Sequence, residues 1–438
     1  MNNFNSKIAF FFVLLVLLGS VKAQDGFKSV LKDSVDHHPS IQSYKAQAES
    51  SKRDIDAAKW AFWPTPSVGY ETANDVPYGT LDKSSKYFRL QQPIWTSGRL
   101  TAQLNKSESQ YLVSEAAVSE QKTNIAYKWL QLWAEYQAAD EKTKAFKDSV
   151  DKHMAYVRQI ERRANEGFSA PSDAQLSMSR LSSVQAELRQ SQSLKNKAAA
   201  RLEQMLQKPL ASEINNLNDS GWPQSQKAIT KWSPAIEVAQ LDEYVNLHPT
   251  VQKTQILISS AQADVQLASA RNIPEVYVRS EMRHGDVTGT HQSIYFGLSS
   301  SFGAGLSNAS AVAAAQAKVE AYRNELNARQ LEVRESIQTD IQDFQAQSDR
   351  LGQLEKTFAA NRNYLESSER QYLAGRRSWQ EIMNIAREES QILAQIADAK
   401  AQIWLTHQRL QIFAMGLDTY LSTKLPTTHS AQNEIKTQ

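Results

Sequence analysis

Hydrophobic positions recur every seven residues over two very long stretches of this chain. Leu104, Tyr111, Val118, Ile125, Leu132, Ala139 and Phe146 form one row, and Trp129, Tyr136, Val150 and Val157 run beside it. Towards the C-terminus Val312, Val319, Leu326 and Val333 keep the same spacing. That row then steps by four and resumes at Ile337, Phe344, Leu351, Phe358, Leu365 and Tyr372. A seven-residue repeat predicts helices packed as coiled coils, and a four-residue step predicts a local unwinding of the supercoil. Helix-breaking residues fall where this requires. Residues 99–166 hold neither Pro nor Gly, and residues 306–374 hold only Gly352. As a single helix the first stretch would be roughly 100 Å long.

A second periodicity appears in short segments. In 275–283, Val276, Val278 and Met282 fall on one side, and Glu275, Arg279, Glu281 and Arg283 on the other. In 294–300, Ile294, Phe296 and Leu298 alternate with Tyr295, Gly297 and Ser299. The first half offers Val68 and Tyr70, then Phe88 and Leu90. Period-2 patterns of this length predict four strands that are apolar on one face. Trp60, Phe62, Trp63 and Trp95 cluster at the strand ends, as an interfacial aromatic belt would. The polar segments 73–86 and 284–292 are predicted loops.

The two patterns occur twice in the same order. His38-Pro39, Pro64, Val68 and Glu71 match His248-Pro249, Pro274, Val278 and Glu281 at a constant offset of 210. Tyr87-Phe88 and Tyr295-Phe296, and Gly167 and Gly375, match at 208. The expected organisation is therefore a leader over 1–23, a first repeat over 24–247, a second over 248–416 and a flexible tail over 417–438. Residues 208–247, with Pro209, Pro223 and Pro234, are expected to form an irregular connector.

Composition narrows the function classes. Among 438 residues there are 49 Lys and Arg against 47 Asp and Glu, and 22% are charged. A near-neutral chain of this kind is neither a basic nucleic-acid binder nor a polytopic helical membrane protein. Cysteine is absent, which removes disulfides, thiolate metal sites and thiol catalysis. Lys7, the apolar run Ile8–Leu18 and the close at Val21-Lys22-Ala23 form an export leader too short to span a membrane. No zinc, phosphate-loop or nucleophile-elbow motif is present, so no enzyme, metal or cofactor is expected. His37-His38 and His248 sit at predicted helix starts, where the following Pro accounts for them.

Four strands cannot close a barrel, and an open edge in lipid leaves backbone groups unpaired. Copies of the chain would have to share their strands, three copies giving twelve. This ordered set of leader, duplicated halves, strand pairs and long helices resembles the TolC-like outer-membrane channels. The segment Leu90-Gln91-Gln92-Pro93-Ile94-Trp95-Thr96-Ser97-Gly98-Arg99 is similar to that of the members exporting large adhesins. The resemblance implies a mainly α fold with a small β part: a long coiled-coil helical barrel continuing a transmembrane β-barrel built by a homotrimer. It implies an outer-membrane location with a periplasmic extension, and passive type I protein secretion or drug or metal efflux. A periplasmic adaptor and an inner-membrane transporter, ABC or proton-driven, would be the partners. A soluble periplasmic coiled-coil scaffold is the alternative from another class.

The resemblance also assigns residues. Asn165–Asp173 and Tyr372–Ser378 are similar to the periplasmic helix turns, with Gly167 and Gly375 at positive φ. Asp173, Tyr372 and Arg377 match the polar links that hold the tunnel closed. Glu381 and Asn384 match two acidic entrance positions, Asn384 departing in type. Ser172 or Asp173 is the expected cap of the helix after the first turn.

Overall fold

The computed structural model describes residues 26–72, 82–217, 220–229, 232, 240–271, 273–300 and 307–423. The leader over 1–23 lies outside them, as does the tail beyond 423. In chain order the elements are α1 (Gly26–Asp36), α2 (Pro39–Trp60), β1 (Thr65–Thr72), β2 (Ser84–Trp95), α3 (Arg99–Asn165), α4 (Pro171–Leu206), α5 (Leu210–Leu217), α6 (Gln226–Ile229), α7 (Leu241–Leu247), α8 (Pro249–Ala270), β3 (Glu275–Gly285), β4 (Gly289–Ser299), α9 (Ser307–Leu373), α10 (Trp379–Met415) and α11 (Leu417–Ser422). Helices α3 and α9 are each 67 residues long, and α2 and α8 are each 22. The seven-residue rows are their inner faces. Ile125, Leu132, Ala139, Val319, Val333, Ile337, Phe344, Leu351, Leu365 and Tyr372 are all buried. Val333 and Ile337, on either side of the four-residue step, are both among them.

The chain divides into two compact units that do not coincide with its sequential halves. One comprises 39–121 and 245–333, the other 1–38, 122–244 and 334–438. In the first, the strands form one antiparallel sheet in the order β1-β2-β3-β4. The strands run further than the alternation predicted. β2 begins at Ser84, β3 reaches Gly285 and β4 begins at Gly289, so the expected loop 284–292 shrinks to three residues. The added residues are polar on both faces, which hides them from a period-2 search but not from backbone pairing. Of the other expected loop, 73–81 lies outside the described residues. Pro93 falls beside a bulge between Pro93 and Trp95 on the β3 side. β1 has already stopped pairing at Thr65 opposite Gln91, so the missing Pro N–H leaves no ladder bond unmade. Helices attach to one another through Lys106–Asp264 (2.7 Å), Lys253–Glu120 (2.7 Å) and the Ser51–Ser114 hydroxyl pair (2.9 Å).

The second unit is organised by aromatic side chains. Phe27 of α1 packs edge-on against Trp129 of α3 (5.2 Å) and Trp404 of α10 (5.6 Å). Trp133 stacks beside Trp129, and Trp222 lies 6.0 Å from Trp404. Trp404 Nε1 donates to the Ser220 carbonyl at 2.9 Å. Trp129 and Trp133 are therefore core packing, as their helical spacing suggests. The expected irregular connector contains three short helices, α5 to α7. Gln226 at the start of α6 lies against Gly352 of α9, where any Cβ would collide with its amide, and its N–H donates to Glu355 Oε1 at 3.0 Å. That contact explains the single glycine inside α9. The tail expected to fray from 417 begins as α11. Tyr420 is buried there, its hydroxyl donates to Gln408 Oε1 at 2.5 Å, and Lys28 Nζ lies 4.5 Å from its ring centre.

Two ionisable groups in this unit respond to pH with opposite signs. Burial raises the Asp340 carboxyl to about 6, against the opposing pull of Arg409 at 3.2 Å. Burial lowers the His407 imidazole, stacked 4.4 Å from Trp232, to about 4. A raised acid binds its proton more tightly when folded, so its stabilising term is full below the unfolded pKa and is lost as pH rises through 6. A lowered imidazole is lost in the other direction, as pH falls below 6.5. Asp340→Asn removes only the first term. Relative to that variant, the parent is expected to gain about 1 kcal/mol between pH 7 and pH 5. Paired denaturant melts at the two pH values measure it, and a pH-independent difference rules it out.

Candidate functional site

Two helix turns of the second unit have the same construction. Gly167 N–H donates to Ala164 O and Phe168 N–H to Arg163 O. Gly375 N–H donates to Tyr372 O and Arg376 N–H to Gln371 O. This double bond pattern closes a helix end and needs a left-handed residue, and the glycines adopt φ of 81° and 73°. The following starts differ. Ser378 is the N-cap of α10, and its Oγ accepts from Glu381 N–H at 3.4 Å. For α4 the cap is Ala170, with Pro171 next and no side-chain cap bond. The expected cap at Ser172 or Asp173 is thus displaced by two or three residues. Proline is pre-set for the first helical position and has no N–H to satisfy, so the helix begins there. Asp173 instead lies in the first turn, where the helix dipole favours a carboxylate.

The predicted gate residues cluster only in part. Tyr372 is buried among Tyr156, Ile160, Leu365, Trp379 and Ile382, and Arg163 lies 5.1 Å over its ring. Arg377 donates to Ser368 Oγ, faces Glu381 at 3.4 Å and covers the Tyr364 ring at 4.7 Å. Asp173 meets neither Tyr372 nor Arg377; among the described residues no hydrogen bond or ion pair reaches its carboxylate. Glu381 also accepts from the Tyr364 hydroxyl at 2.9 Å. Asn384 is exposed and accepts from Arg180. Both positions expected at the entrance, Glu381 and Asn384, therefore carry a guanidinium neighbour.

The sheet of the first unit carries its chemistry on two faces. Val68, Phe88, Leu90, Met282, Ile294, Phe296 and Leu298 share one face and are exposed, Phe296 at 83%. Trp60, Trp63, Ile94 and Trp95 are exposed at one end of this band. The opposite face is an ionic network about Glu281, which is almost fully buried. Arg89 Nε donates to it at 2.9 Å, Arg283 at 3.1 Å, and Arg279 stands at 3.8 Å. Arg283 also bonds Glu71 at 3.0 Å. Among the described residues, no helix is long and apolar enough to cross a membrane and no group of His, Asp and Glu could hold a metal ion.

Residues 30–207 match the model of the outer membrane efflux protein family. Those residues make up less than half of the chain. Its fold is that of solved outer-membrane channels. The structure of the OprN channel superposes with a TM-score of 0.75 at 16% identity, covering 89% of each chain. The Campylobacter jejuni CmeC outer-membrane channel gives 0.75 at 11% identity over 94% of this chain and 89% of that one. The Vibrio cholerae outer membrane protein VceC gives 0.72 at 12% identity over 91% and 96%. No curated protein matches the chain by sequence.

Proposed function

We propose that the chain is the outer-membrane exit duct of a tripartite export system, extending into the periplasm. The observation that carries this is the sheet, apolar and exposed on one face, with β1 and β4 as open edges. β3 and β4 are 11 residues long, which suits tilted strands crossing hydrocarbon, for which about 9–11 are needed. Open edges in lipid cost several kcal/mol per unpaired group. Three copies would supply twelve strands and close the wall, with the Glu281 network turned inward. The helices would continue this wall towards a periplasmic adaptor and an inner-membrane transporter, which does the work; the duct itself is passive.

In this reading Asp173, Tyr372 and Arg377 form the gate at the helix turns. The Asp173 carboxylate, unbonded among the described residues, would be satisfied by Arg377 of a neighbouring copy. Charge-assisted bonds of about 1.5–3 kcal/mol can bias such a gate without freezing it. Glu381 and Asn384 stand at the entrance, the field of the Glu381 carboxylate reduced by Arg377 and the neutral Asn384 amide occupied by Arg180. The similarity of 90–99 to adhesin exporters favours a polypeptide cargo and type I secretion; small-molecule efflux is the other cargo class.

Reconstitution tests the reading. The purified mature chain is expected to run as a trimer by mass in detergent and to give discrete conductance steps in planar bilayers. Asp173→Ala combined with Arg377→Ala is expected to enlarge those steps. A water-soluble monomer without conductance overturns the duct, and unchanged steps in the double variant overturn the gate alone.

A further inference from the structure

The apolar band of the sheet ends, opposite its tryptophan end, in a row of donors. Register places Tyr70 opposite Lys86, Lys86 opposite His284 and His284 opposite Thr290. All four residues lie on the apolar face, one row beyond Val68, Phe88 and Met282. Together these residues line a shallow cavity of about 670 Å³ on that face. Its floor is hydrocarbon and its rim is an ammonium, an imidazole and two hydroxyls. His284 Nδ1 lies 2.8 Å from Thr290 Oγ1. Among the described residues no carboxylate pairs with Lys86. The two acids nearby are already occupied by donors of the backbone. Asp82 accepts from the N–H groups of Val287 (2.7 Å) and Thr288 (2.9 Å), and Asp286 from Ser84 N–H at 3.3 Å. Those bonds also fix the β3–β4 turn above the cavity.

We propose that this cavity binds the phosphorylated headgroup of a lipid in the outer leaflet. The phosphate would accept from Lys86 and from the His284, Tyr70 and Thr290 donors, while an acyl chain covers Val68, Phe88 and Met282. Charge-assisted bonds to phosphate at a dehydrated interface are stronger than neutral ones, so Lys86 is the main anchor. An isolated lysine would only snorkel to the interface; the aligned row and apolar floor make a site with one orientation. The inference rests on the sheet lying in a membrane, as proposed above.

The test uses the whole mature assembly in detergent, with three additives compared at equal concentration: diphosphoryl lipid A, its dephosphorylated form, and inorganic phosphate. The phosphorylated lipid alone is expected to raise the melting temperature. Lys86→Gln with His284→Gln is expected to weaken its apparent affinity about tenfold, near 1.4 kcal/mol, while Lys86→Arg retains most of it. Conductance is recorded on the same preparations. If they conduct but the lipid effect survives the double variant, or is matched by either other additive, the site is wrong and the duct stands. If they never conduct, both fall.

Discussion

Replacing Trp404 with alanine is expected to destabilise the second unit by about 3–5 kcal/mol. The side chain is fully buried, packs against Phe27 and Trp222, and satisfies the Ser220 carbonyl. Alanine leaves a cavity between α1, α10 and the segment before α6, and strands that carbonyl. Trp404→Phe keeps most of the packing and loses chiefly the hydrogen bond, so it should cost about 1–2 kcal/mol. Urea unfolding in detergent, followed by tryptophan fluorescence and circular dichroism, separates the two. Equal midpoints for parent and Trp404→Ala would show that the connector docks without this residue.

Glu281→Ala is expected to have an effect of similar size in the sheet. Its carboxylate is the shared acceptor of Arg89 and Arg283 and faces Arg279. Removing it leaves three half-buried guanidinium groups on adjacent strands without their common counter-charge. Breaking a buried ion pair from one side costs about 3–5 kcal/mol. Glu281→Gln keeps acceptors but not charge and should fall between. Glu71→Ala removes a peripheral, exposed partner of Arg283 and should change little. The measurement is the temperature at which the strand signal in circular dichroism melts. Melting of Glu281→Ala at the parental temperature would mean that the network does not hold the strands together.

Much of this architecture was legible because long-range order was written in local rules. The absence of Pro and Gly over 99–166 fixed the extent of α3, since nothing else interrupts a helix so effectively. Positions such as Val319, Ile337 and Leu351 declared their burial through the seven-residue spacing. The strand faces followed from Val276, Val278 and Met282 alternating with charged residues. What stayed hidden depends on contacts between distant residues. Lys86 and His284 sit on the apolar face but are polar, so the alternation stops before them. Arg180 bonds Asn384 across 204 positions of sequence, and no spacing announces that. The start of α4 was misplaced because Ser172 and Asp173 are good caps in isolation, and Pro171 overrides them. Among the described residues nothing bonds the Asp173 carboxylate, so the link expected for it to Tyr372 or Arg377 is not made within one chain.

The matched length of α3 and α9 constrains how such a protein can be lengthened. Each added residue turns everything after it by about 100° and advances it by about 1.5 Å. A single insertion in α3 would therefore rotate Tyr156 and Ile160 away from Leu365 and Tyr372, which they meet near the turns. Only additions of whole seven-residue blocks, made to both helices together, preserve that meeting. Length variants of this fold should therefore differ by paired increments of about 10 Å, and a graft that extends one helix alone should fail to pack.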